Sequence, residues 1–157
     1  MKNKIIYMFI MIISLILIDQ ISKNVLQYYY KEPVKYGLIT IEFIKNKGVA
    51  FGINQGNTKN IVITLLIICF ILNYVKNQIK YIDEKTSFSL SLILAGGISN
   101  LIDRIIKGGV VDFISIKNFA IINVADFYIV FGLFLFIIFF IINIRKKEYL
   151  EEKWEIH

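Results

Sequence analysis

VADFYIVFGLFLFIIFFIINI, residues 124–144, decides the fold: it is an apolar run long enough to carry a helix through bilayer hydrocarbon, which takes about 20 residues. A carboxylate, Asp126, stands near its start, and a second, Asp112 in Val110-Val111-Asp112-Phe113, precedes it by a short segment. An ionisable group beside hydrocarbon is costly to desolvate, so it pairs, lines a wet cavity or does chemistry. Two of them at one end of a span predict a shared site.

Three more apolar runs, residues 5–18, 61–75 and 88–106, lie upstream. Several fall short of a full span and borrow polar flanks or sit in a thinned bilayer. The 157 residues are 57% hydrophobic, above the roughly 45–50% of soluble domains. The sequence therefore predicts a membrane all-α bundle of four transmembrane helices, with spans near 5–23, 59–76, 87–106 and 124–144, in one integral membrane domain covering 1–157. The first run, behind Lys2 and Lys4, is followed by Asp19-Gln20-Ile21-Ser22-Lys23 rather than a small-residue cleavage pattern, so it is read as a retained span.

Composition narrows the chemistry. The one cysteine, Cys69, lies in an apolar run and is read as packing; the one histidine, His157, is C-terminal. A histidine-dependent triad or a histidine-rich metal site is thereby excluded, and no metal or other cofactor is expected. The net charge of +6 comes from lysines that flank apolar runs, which points to topology signals and anionic headgroups and away from nucleic acid. Lysine and arginine crowd the short segments at 2–4, 76–85 and 145–147, so both termini are expected in the cytoplasm and both aspartates near the outer face.

Two outer segments alternate with period two. Ile39, Ile41 and Phe43 interleave with Thr40 and Glu42, and residues 110–116 read similarly, predicting a small β platform on the outer membrane surface. Tyr28, Tyr29 and Tyr30 belong at headgroup level.

On the third span Gly96, Asn100, Asp103, Arg104 and Lys107 recur at three- and four-residue spacing and form a polar face directed into the bundle. That face serves either as an ion-paired packing staple or as a scaffold for the site, while Ala95, Gly96 and Gly97 permit close helix approach. Asp19 and Lys23, at i and i+4, either pair at the interface or join the site. Asn46-Lys47-Gly48-Val49-Ala50-Phe51-Gly52 suits tight turns and close backbone approach. Asp112 and Asp126 are the strongest pair: two close carboxylates share a proton, one acting as acid while the other activates water. Asn123 is placed to cap the last helix, whose positive end favours the Asp126 anion, so Asp112 is expected to hold the proton. A small proton- or cation-coupled transporter using the same aspartates is the alternative, and a non-catalytic lipid-binding protein a third reading.

Asp19-Gln20-Ile21-Ser22-Lys23, the Asn46 to Gly52 stretch, Gly96-Gly97-Ile98-Ser99-Asn100-Leu101-Ile102-Asp103-Arg104, Val110-Val111-Asp112-Phe113 and Asn123-Val124-Ala125-Asp126, in this order around four spans, resemble bacterial lipoprotein signal peptidase, signal peptidase II. The resemblance implies an aspartic endopeptidase of the bacterial plasma membrane that cuts prolipoprotein signal peptides before a diacylglyceryl-modified cysteine. Its catalytic pair falls on Asp112 and Asp126. Its supporting residues fall on Asp19, Lys23, Asn46, Gly48, Asn100, Asp103, Arg104 and Asn123. The implied partners are lipid-modified precursors and membrane phospholipids, with the chain acting as a monomer. Ile122, Phe127 and Tyr128 depart from the residues usual in that family and bear on pocket shape.

Overall fold

A computed structural model describes residues 2–48 and 56–155. Among them the order is α1 (Lys2–Tyr29), β1 (Val34–Tyr36), β2 (Ile39–Asn46), α2 (Asn57–Gln78), α3 (Glu84–Ile106), β3 (Val110–Ile116), β4 (Ile121–Ile122) and α4 (Val124–Glu155). All four helices are long and apolar enough to cross a membrane. The expected class, a four-helix membrane bundle with a small antiparallel sheet, is the one found.

α3 is the central helix. In its most apolar window 61% of residues are buried, against 11% in each of the others, although α3 has the lowest hydropathy of the four. Lipid is as apolar as leucine, so membrane helices associate through small residues and hydrogen bonds rather than through added hydrophobicity. α3 follows that rule with Ser87, Ser89, Ser91, Ser99, Ala95 and Gly96, all buried. The hydroxyls of Ser87, Ser89 and Ser91 donate to carbonyls one turn back, at Asp83, Thr86 and Ser87, and so remain satisfied in the interior. Gly96 is where α4 comes closest: a Cβ there would stand 2.4 Å from the Ala125 carbonyl oxygen. Gly97 differs, because its Cβ would meet only Ile68 at 3.7 Å. Of the two glycines, close approach needs Gly96.

Lys4 binds the carbonyls of Ile79 and Ile82, tying the start of α1 to the α2–α3 connection at one end of the bundle. The sheet caps the opposite end in the order β1-β2-β3-β4, antiparallel throughout. β2 pairs β3 from Ile39 opposite Ile116 to Asn46 opposite Val110, with a register shift between Ile41 and Ile44. The outer strands β1 and β4, of three and two residues, carry too little alternation to be read from sequence. α3 stops at Ile106, where the Lys107 amide still bonds the Asp103 carbonyl and Gly108 follows at φ +70°, a left-handed helix ending. Four residues later, β3 carries Asp112. α4 runs on to Glu155, beyond the point where the sequence turns polar at Glu148. Glu, Lys and Leu, all strong helix formers, make up most of residues 146–153 and favour continuing the helix.

Candidate active site

The N-terminus of α4 is built around Asn123. Its side-chain oxygen accepts from the Asp126 amide at 2.9 Å, and its own amide donates to Asp126 Oδ2 at 3.2 Å, so residue and aspartate cap the helix reciprocally. The Asn123 side-chain NH2 then spans two neighbours: it donates to Asp112 Oδ1 at 2.7 Å and to Asn100 Oδ1 at 3.2 Å. One asparagine thus joins both aspartates, from β3 and α4, to the polar face of α3.

Each aspartate has two donors. Asp112 Oδ2 accepts from Asn46 Nδ2 at 2.9 Å, and the Gly48 amide bonds Asn46 Oδ1 at 2.9 Å, holding that amide so that its NH2 faces the carboxyl group. Asp126 Oδ1 accepts from Asn100 Nδ2 at 2.8 Å. Asp112 is 2% exposed, whereas Asp126 is only part-buried. Burial pushes the Asp112 carboxyl up to about 6; the Asp126 charge pushes the same way, and the Asn46 and Asn123 amides oppose it.

A second layer lies behind. Lys23 Nζ, with no solvent exposure, sits 2.6 Å from Asp19 Oδ2 and 2.7 Å from Asp103 Oδ2, and reaches Asn100 Oδ1 at 3.4 Å. Lys107 bonds the other Asp103 oxygen at 2.8 Å. Two lysines therefore balance two aspartates, which is what makes this burial tolerable. The cluster also reaches the backbone that carries the site. Asp19 Oδ1 accepts the Ala125 amide at 2.9 Å, next to Asp126, and Asp103 Oδ2 accepts the Val111 amide at 3.3 Å, next to Asp112.

Asp19 and Lys23 thus do pair, but in the interior and as part of the site's support. Lys107, expected on the polar face of the third span, joins that support, whereas sequence reading missed Gln20 and Ser99 as members of it. Gln20 donates to Ser99 Oγ at 3.0 Å and Asp103 Oδ1 at 3.1 Å, and Ser99 Oγ donates to Asp19 Oδ2 at 2.7 Å. Their signal was positional: Gln20 follows Asp19, and Ser99 stands four residues before Asp103.

Arg104 faces elsewhere. With Asn100 and Asp126 it lines a cavity of about 210 Å³, walled largely by apolar residues that include Ile67, Ile71 and Ile129. Its Nε is buried and has no protein partner among the described residues, although the Asp126 and Asp112 charges act on the guanidinium. Of the residues expected to shape the pocket, Phe127 is 58% exposed and stacks on Phe131, and neither it nor Tyr128 lines this cavity. Residues 49–52 of the Asn46 to Gly52 motif lie outside the described residues.

The geometry is that of two carboxylates joined through one asparagine, one of which, Asp126, lines a mostly apolar cavity. The family model of signal peptidase (SPase) II matches residues 11–142. The chain belongs to the signal peptidase II family. It is 37% identical to the lipoprotein signal peptidase of Caldicellulosiruptor bescii, over 80% of this chain and 85% of that one. It is 34% identical to the lipoprotein signal peptidase of Fusobacterium nucleatum, over 92% of each. The relative of that name from Buchnera aphidicola is also 37% identical, over 87% of this chain and 96% of its own. A bacterial membrane enzyme solved by the in meso method superposes with a TM-score of 0.79 at 27% identity, covering 90% of this chain and 91% of that chain. As a signal peptidase II family member with four apolar helices, the chain is a multi-pass bacterial membrane protein and a protease.

Proposed function

We propose that this protein is an aspartic endopeptidase that removes the signal peptide of diacylglyceryl-modified prolipoproteins, cutting before the lipidated cysteine. The observation that carries this reading is Asn123, whose amide bonds Asp112 and whose backbone bonds Asp126, bringing two carboxylates from different elements to one point. With Asp112 raised to about 6, Asp112 keeps its proton up to about that pH, well above the ordinary carboxylate range. Asp126 then takes the proton of an attacking water, while Asp112 donates its own to the carbonyl oxygen of the scissile bond. Collapse of the tetrahedral intermediate returns a proton to the leaving amine and restores the singly protonated pair. Arg104, which lines the cavity with Asp126 and whose buried Nε has no partner among the described residues, is placed to hold a substrate carbonyl.

Residues 1–157 act as one membrane domain, spanning near 5–23, 59–76, 87–106 and 124–144. Asp19, Lys23, Asn46, Gly48, Asn100, Asp103 and Asn123 position the pair. The protein works as a monomer, since both carboxylates and their donors come from one chain. Its termini are cytoplasmic and the sheet lies on the outer surface of the plasma membrane, among phospholipids, where acyl chains hold a lipidated cysteine at headgroup depth. A transporter would need its carboxylates deeper and its halves repeated; family membership favours the peptidase.

Purified protein in lipid should cleave a lipidated precursor directly before the modified cysteine, read by product mass, and cut the unmodified precursor poorly. Equal rates on both forms would remove lipid from the recognised substrate, and no cleavage of either would end the peptidase reading.

A further inference from the structure

Two cavities lie along one furrow whose floor is α3 and whose walls are α2 and α4. The outer one holds Asp126, Asn100 and Arg104. The inner one, about 250 Å³, is lined by Tyr74, Gln78, Thr86, Phe136, Phe140 and Asn143 among others. Ile71 borders the outer cavity and Tyr74, about one turn on, the inner, so the two follow one another along α2. The sill between them is the edge-on contact of Tyr74 with Phe136, ring centroids 6.4 Å apart.

The paired-carboxylate chemistry has no use for the inner cavity. At 1.5 Å per residue, Phe136 stands about 15 Å and Phe140 about 21 Å from Asp126 along α4. The apolar stretch of a signal segment, about 7–15 residues, is about 10–22 Å long as a helix. A segment presenting its outer end to the dyad therefore ends beside Phe136 and Phe140. Those rings stack at 6.1 Å and offer an apolar wall, and beyond them Asn143, hydrogen-bonded to Asp83, supplies a polar terminus. Length, apolar lining and polar end all suit such a helix.

We propose that the inner cavity is an exosite for the far end of the substrate's apolar segment. The precursor helix lies lengthwise in the α2–α4 furrow and is held at a point remote from the bond that is cut. The proposal rests on the peptidase reading, and it adds a residue-level determinant of substrate length that the dyad cannot supply.

Two precursors test it, one with a full apolar segment and one shortened by about two helical turns. Gln78 is exposed at the cavity rim, and Gln78→Trp fills the space without disturbing the core. KM for the full precursor should rise roughly tenfold, with kcat nearly unchanged, while the shortened precursor is cut as by wild type. An equal change on both precursors, or none on either, overturns the exosite. A photocrosslinking side chain at position 140, with position 134 as control, keeps the question open to test if Gln78→Trp folds poorly. Capture of the precursor's inner end from 140 but not 134 supports the proposal. Cleavage accompanied by capture of phospholipid alone from 140 overturns it while leaving the peptidase intact; absence of cleavage by wild type overturns both.

Discussion

Asp112 is a 2% exposed carboxyl whose desolvation is offset, among the described residues, by the amide NH2 groups of Asn46 and Asn123 and by the charge of Lys23. Raised to about 6 from its ordinary range, it binds a proton more tightly in the folded protein than in the unfolded chain. The sign follows: this contribution to stability is fully present below about pH 4 and is lost as pH rises to about 6. Thermal unfolding in detergent should show wild-type Tm falling between about pH 4 and 6, with that component missing in Asp112→Asn. On the same argument, kcat/KM for a lipidated precursor should have an alkaline limb with a midpoint near 6. A flat profile through that range would mean that the proton on Asp112 is not needed. Arg104→Lys should lower kcat/KM at least tenfold with folding intact, since a point charge cannot replace a planar fork at several oxygens. Full activity in that variant would reduce Arg104 to packing.

At the scale of elements, α3 and α4 meet through Gly96, and the contact lies beside Ala125 and hence beside Asp126. Gly96→Ala should cost about 1–3 kcal/mol and most of the activity, because the added carbon meets backbone rather than a movable side chain. Gly97→Ala, which meets only Ile68 at ordinary contact distance, should fold as wild type. Similar melting curves for the two would contradict the packing described. The same contrast shows what the sequence could tell. Spacing alone put Gly96 and Gly97 together, and only the crossing of α4 over α3 separates them. The alternation of Ile39, Ile41 and Phe43 was legible as a strand; β1 and β4 were not, since strands this short exist by pairing with a neighbour rather than by their own pattern. The two aspartates that Asn123 joins stood out in the sequence because carboxylates are rare beside hydrocarbon. Gln20 and Ser99 were not, because an uncharged polar residue on a membrane helix becomes informative only when its partner, here 79 positions away, is known.

For the whole molecule, the start of α1 and the α2–α3 connection share one end, and the sheet and both aspartates the other. Reporters fused after Lys80 and at Asn118 should therefore report opposite sides of the membrane, Lys80 cytoplasmic and Asn118 outside. A cytoplasmic Asn118 would invert the orientation read from lysine density. The central claim, that Asp112 and Asp126 form one catalytic unit, is tested most directly by turnover of a lipidated precursor by Asp112→Asn, Asp126→Asn and the double variant, each with substrate binding measured in parallel. Each single variant should lose nearly all turnover while still binding substrate, and the double variant should be little worse than either, because groups that act together are non-additive. Near-normal turnover in either single variant, or a double variant whose loss is the product of two moderate ones, would contradict the account.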